Sequence, residues 1–137
     1  MKKNIIITGG LGYIGTELCK IYSGVSWNSK ITVIDNRFIS ERVNQLRNWN
    51  INFVHGDILD KNLINKYCKN ADIVHHLAGV TDVPRVKSES SEEKDKKIEI
   101  VAKEGTQNIL DVIDDKCKII LPSTHVVYEG IEKVKND

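Results

Sequence analysis

The chain has 137 residues, enough for one domain with a substantial core. Its 40% hydrophobic and 28% charged residues exclude a disordered polymer, and 20 Lys and Arg against 19 Asp and Glu leave a net charge of +1. That balance excludes a long-range field drawing the chain to nucleic acid or to an anionic membrane.

The first apolar run follows Met1-Lys2-Lys3 and ends at Ile7, too short for the core of a secretory leader. No stretch approaches the ~20 apolar residues of a membrane span. Cys19, Cys68 and Cys117 are widely spaced without a C-x-x-C pair, which argues against a disulfide framework or a zinc site. A reducing, cytoplasmic setting is the expectation, with the cysteines as small buried hydrophobes.

In chain order, residues 4–8 predict a strand, and a helix follows Gly12 with Ile14, Leu18, Ile21 and Tyr22 on one face. Residues 30–35 predict a second strand. Val43, Leu46 and Trp49 fall at helical spacing within 39–49. A third strand is expected at 52–55, then a helix capped by Asp60 and reaching Cys68, with Leu63, Ile64 and Tyr67 inward. Residues 73–77 predict the fourth strand. The polar run KSESSEEKDKK, 87–97, reads as a loop entering a long helix. Ser90 and Glu93 fit a capping box there, and Ile98, Val101, Ala102, Ile109, Val112 and Ile113 form a stripe through Asp114. A last strand is expected at 118–121. The strands are nearly continuous in Ile and Val, as strands covered on both faces require. Their alternation with helices predicts an α/β fold, a doubly wound parallel sheet of order 3-2-1-4-5, forming one Rossmann-like domain over 1–137.

The turn after the first strand carries Gly9, Gly12 and Gly15. Glycine there lets backbone N–H groups and the positive end of a helix converge on a phosphate. Gly9 would make the turn, Gly12 would admit a pyrophosphate, and Gly15 would let helix and strand pack closely. Asp35 lies 20 residues after Gly15, at the end of the second strand, where a carboxylate bonds an adenosine ribose. It would repel a 2′-phosphate, which favours NAD over NADP, although Arg37 nearby softens that preference. Read without a ligand, Asp35-Asn36 is a turn former at a strand end.

The spacing G-G-L-G-Y-I-G after Thr8 resembles the extended short-chain dehydrogenase/reductase family, particularly its nucleotide-sugar epimerases and dehydratases. GDILD from Gly56, HHLAG from His75, EGTQNILD from Glu104 and STHVVYEG from Ser123 agree in order and spacing. The resemblance implies NAD as cofactor. Backbone N–H groups of Tyr13 and Ile14 would meet the pyrophosphate, and Asp35 with Asn36 would hold the adenosine ribose. Asp57 would bond the adenine amino group, with Ile58 against the ring. Leu77, Ala78 and Gly79 would line the path to the nicotinamide, Thr81 would touch the cofactor, and Thr124 would be the catalytic Ser/Thr.

The chain also departs from that family. Ala102 stands where many relatives have Asn, and VYEG lengthens a V-Y-G element. The family's Y-x-x-x-K dyad is expected beyond Thr124, yet Tyr13, Tyr22, Tyr67 and Tyr128 are followed four positions later by Glu17, Ser26, Ala71 and Glu132. Hydride transfer to or from a sugar carbon needs a proton moved at its oxygen, which a lysine-assisted tyrosine does. The resemblance therefore implies the cofactor portion of such an enzyme, ending before the substrate domain and inactive alone. The alternative is a non-catalytic NAD(H)-binding module or partner subunit. A nucleotide-sugar substrate is expected for the full-length protein, and a homodimer through the long helix, whose stripe at Ile98, Val101, Ile109 and Val112 would be exposed.

Other chemistries fit poorly. His75 and His76 are adjacent on a strand and point to opposite faces, so they make a poor metal pair. His55 ends a strand, and His125 sits beside Thr124. Neither the G-x-S-x-G elbow of a hydrolase nor a P-loop is present.

Overall fold

A computed structural model describes residues 2–25, 28–80 and 91–123. Five parallel strands form one sheet: β1 (Lys3–Thr8), β2 (Ser29–Asp35), β3 (Asn52–His55), β4 (Ile73–His76) and β5 (Lys118–Ile120). Their spatial order is β3-β2-β1-β4-β5, as the strand-helix alternation predicts. The connecting helices are α1 (Tyr13–Gly24), α2 (Ser40–Asn48), α3 (Lys61–Cys68), α4 (Ser91–Ile100) and α5 (Thr106–Leu110), with a π-helical turn at Val101–Gly105 between the last two.

Two cores sandwich the sheet. Ile5 and Ile7 of β1 pack with Val33, Cys19, Val43 and Leu46 beneath α1 and α2. Ile6, one residue out of phase, packs with Ile34, Val74, Ile64 and Ile109 beneath α3 and α5. The alternation of side chains along a strand thus divides one apolar run between two layers. Asp60 caps α3 through its carboxylate, which accepts from the N–H groups of Asn62 and Leu63 at 3.0 and 3.1 Å. Among the described residues, no helix is long and apolar enough to cross a membrane.

Two expectations need correcting. On α1, Ile14 and Ile21 are 66% and 62% exposed, and the inward residues are Gly15, Leu18, Cys19 and Tyr22. The reason is Gly15: a β-carbon there would lie 2.5 Å from Cα of Gly10, so the helix rests on the loop at that residue. Positions three, four and seven residues on then face the sheet. The long helix, in turn, is broken in register by the π turn and ends at Leu110 instead of continuing to Asp114. Its stripe is not a free surface. Ile109 is fully buried, Val101 and Val112 pack on the second core, and Ala102 points outward. Ser90 of the capping box lies outside the described residues.

Candidate functional site

The C-terminal ends of the strands meet at one edge, because Thr8 pairs in register with Ile34 and His76, and Asp35 with His55. Crossovers leave β1 in opposite directions there, and such a switch point opens a crevice. The crevice here is a cleft of about 1080 Å³. Its walls include Gly9, Gly12, Tyr13, Ile14, Gly15, Asp35, Asn36, Asp57, Ile58, Leu77, Ala78 and Gly79, so the structure brings these expected residues together. Thr81 and Thr124 lie outside the described residues.

The glycine loop is shaped by close approaches. Gly9 has φ of +69°, and a β-carbon on it would stand 2.7 Å from the backbone of Ala78. Only glycine meets both conditions without strain. Gly12 precedes the first turn of α1 and supplies no capping side chain, so the N–H groups of Tyr13 and Ile14 are left without a cap at the cleft. Gly10, which the three-glycine spacing passes over, is equally constrained: its β-carbon would fall 2.5 Å from Cγ1 of Val33. The adjacent pair Gly9-Gly10 was the available signal.

Asp35 ties the loop to β2. It is buried, and its Oδ2 accepts from the Leu11 N–H at 3.0 Å. Its Oδ1 accepts from the Arg37 backbone N–H at 3.0 Å and from Arg37 Nε at 3.2 Å, while Arg37 Nη2 reaches Oδ2 at 3.4 Å. Arg42 of α2 holds the loop from the other side by donating to the Leu11 carbonyl, and its guanidinium lies 5.1 Å over the Tyr13 ring. Neither arginine contact follows from motif spacing, because each depends on which way a long side chain folds back.

On the wall after β3, Asp57 accepts from the Leu59 N–H at 2.9 Å and from Asn36 Nδ2 at 3.3 Å. Ile58 is only 5% exposed. The Ile58 carbonyl accepts from Asn108 Nδ2 at 3.1 Å, and its side chain fills the space a β-carbon on Gly105 would need. The opposite wall carries a relay the sequence did not suggest. Thr8 Oγ1 lies 2.8 Å from His76 Nδ1, and His76 Nε2 lies 3.0 Å from Thr106 Oγ1. Thr8 Oγ1 also accepts from the Ala78 N–H at 3.3 Å, which sets the turn leaving β4. Burial holds the His76 ring below its ordinary pKa, hence neutral, with one nitrogen donating and the other accepting. His75 points to the other face, where its Nε2 meets the Tyr22 hydroxyl at 2.7 Å. Its pKa is lowered first by burial and then by Lys118. Among the described residues no group of three His, Cys, Asp or Glu side chains is placed to hold a metal.

Comparison with known proteins places these features in a family. The model of the 3-beta hydroxysteroid dehydrogenase/isomerase family matches residues 6–133. A UDP-N-acetyl-alpha-D-glucosaminuronate decarboxylase of Bacillus cytotoxicus is 33% identical over 132 residues, 93% of this chain and 38% of that protein. A CDP-paratose 2-epimerase of Salmonella typhi is 34% identical over 143 residues, 96% of this chain and 39% of that protein. The chain thus spans about two-fifths of the length of these relatives. Among solved structures, the UDP-glucose-4-epimerase of Stenotrophomonas maltophila, crystallised with NAD and formylated UDP-arabinopyranose, superposes with a TM-score of 0.75 at 20% identity. That match covers 98% of this chain and 40% of the other, and it shows the same fold. The chain belongs to the 3-beta hydroxysteroid dehydrogenase/isomerase family, within the extended short-chain dehydrogenases/reductases that its glycine spacing resembles.

Proposed function

We propose that these residues form the NAD-binding portion of an enzyme that epimerises or dehydrates a nucleotide sugar by transient hydride transfer. One observation carries the reading: the uncapped N–H groups of Tyr13 and Ile14 face the cleft behind Gly12, where a β-carbon would intrude, beside a carboxylate hooked to the same loop at Leu11. The cleft fits a dinucleotide in size, since sites for smaller ligands enclose about 300–1,000 Å³.

In this reading the Tyr13 and Ile14 N–H groups receive the pyrophosphate, and Asp35 with Asn36 holds the adenosine ribose. Asp57 bonds the adenine amino group, while Ile58 shapes the adenine wall. Leu77, Ala78 and Gly79 flank the nicotinamide end, with Thr81 as a further contact. NAD, when bound, supplies the hydride acceptor. Thr124 hydrogen-bonds the sugar oxygen at the reacting carbon but is too weak a base to take its proton near neutral pH. We therefore read this polypeptide alone as binding cofactor without turnover. A homodimer across α4 and α5 also belongs to the reading, now on the exposed Leu110 in place of the stripe.

Titration with NADH, followed by its fluorescence, tests the central statement. Saturable binding that is lost in Gly12→Val is the expected result. An unchanged signal up to ~1 mM cofactor, an affinity too weak for a built site, would overturn it.

A further inference from the structure

The relay at the end of β4 joins three elements at one side of the cleft. Thr8 Oγ1 accepts from the Ala78 N–H at 3.3 Å, which leaves its own proton to the His76 ring, 2.8 Å away at Nδ1. Nε2 then carries the ring proton and donates to Thr106 Oγ1 at 3.0 Å. The same corner supports the glycine loop. The Leu77 N–H donates to the Thr8 carbonyl at 3.1 Å, and Gly9 packs on the Ala78 backbone. His76 is 2% exposed and borders the cleft. Both nitrogens of the neutral ring are engaged. A protonated ring has two N–H donors and no acceptor, so the Thr8 hydroxyl would lose the partner of its proton.

We propose that His76 is a positioning residue that makes cofactor binding proton-linked: the occupied cleft accepts only the neutral ring, and acid empties it. The inference rests on the cofactor reading above and adds its control by pH. A charged ring released from Thr8 finds water on the cleft side that it borders, and there it takes the ligand's space. It also loosens the Ala78 turn against which Gly9 is shaped. In that reading the anionic pyrophosphate lies at the start of α1, whereas the nicotinamide lies beside Leu77 and Ala78, next to His76. Oxidised nicotinamide is itself positive, so the two charges would repel. Other charges stand farther off. β1 offers Thr8 at this end, His75 of β4 points to the other face, and Lys118 of β5 pairs in register with Ile73 at the far end of β4. Lys103 and Glu104 of the π turn are exposed. The cleft brings Asp35, Arg37 and Asp57 after β2 and β3, and Glu93, Lys96 and Lys97 on α4. Burial alone lowers the His76 pKa from 6.5, so none of these charges governs it. Below the free ring's pKa, binding must expel a proton, and affinity falls by up to about tenfold per pH unit.

Calorimetric titration with NAD at pH 7.5, 6.0 and 5.0, each in two buffers of different ionisation enthalpy, reads affinity and proton count together. Circular dichroism at each pH establishes that the chain is folded. Wild type should bind about threefold or more weakly at pH 5.0 than at pH 7.5, and should release a proton on binding at the lower pH. His76→Gln offers one donor and one acceptor but does not titrate. It should release no proton and hold one affinity across the range, whatever that affinity is. Gln at each of the other histidines, His55, His75 and His125, should keep the wild-type release, which assigns the proton to His76 even where His76→Gln fails to fold. A wild-type affinity that is flat from pH 7.5 to 5.0 overturns this inference alone. So does a release that persists in His76→Gln or vanishes in one of the other variants. A wild-type chain that binds no NAD at pH 7.5 overturns the dinucleotide reading as well.

Discussion

Gly12 and Gly15 sit three residues apart and should fail in different ways when given a side chain. A β-carbon at Gly15 meets Cα of Gly10 at 2.5 Å, so Gly15→Ala should push α1 off the loop and cost about 1–3 kcal/mol in urea unfolding. At Gly12 the nearest atom is the Gly9 carbonyl oxygen at 3.2 Å, and beyond it lies the cleft. Gly12→Ala should leave the unfolding midpoint nearly unchanged while weakening NADH binding. Burial of His76 gives a third residue-scale prediction. Its pKa is lowered from 6.5, so below that value the unfolded chain takes up a proton that the folded chain refuses. The stability this ring confers is complete above pH 6.5 and is lost as pH falls toward its folded value. The melting temperature should drop between pH 7.5 and 5.5 by circular dichroism, and His76→Gln should flatten that slope. The buried thiols behave otherwise: burial pushes Cys19 and Cys68 up to about 12, which leaves them unreactive in the native chain.

Elements differ in how plainly the sequence announces them. β1 to β5 were legible to within a residue or so because each is a short run centred on β-branched or aromatic residues and ends at polar or glycine residues. α1 was legible as a helix but not in its facing, since Ile14 and Ile21 outweigh Gly15 on any scale of hydrophobicity. What orients that helix is the lack of a side chain at one point. The π turn left no sign at all. It is one residue of excess inside a helix, and a stripe drawn with a regular period runs through it into the wrong face at Ala102. Of the cleft, the glycine spacing located the loop and Asp35, and the family resemblance pointed to the Asp57 wall. The Arg37, Arg42 and His76 contacts were hidden because they join residues through side-chain conformation. The π turn allows a direct test. Ala102 is exposed, and Thr106 and Asn108 beyond it make the contacts to His76 and to the Ile58 carbonyl. Deleting Ala102 should close the turn into a regular helix and keep both contacts, with a melting temperature within a few degrees of wild type. A chain that no longer folds would show that the wide turn is itself required.

For the whole molecule, large apolar side chains among the described residues face outward on three helices, and also at Val25, Phe38 and Leu121. Ile100 and Leu110 are 45% and 46% exposed, and Ile14, Ile21 and the Tyr13 ring cluster on α1. If copies pair through α5, Leu110→Asp should return a sedimentation dimer to monomer, and Ile21→Asp should not. The order of the strands has a separate consequence, for the time course of folding. β1 is central, but its neighbour β4 arrives 68 residues later, with Ile5 opposite Ile73. Pairings so distant along the chain form slowly, because a long segment must be gathered before they are rewarded. The turn at Gly9 is walled by Ala78, so the glycine loop is among the last features to take shape. During synthesis, a ribosome must deliver the chain as far as Ala78 before the opening loop acquires its shape.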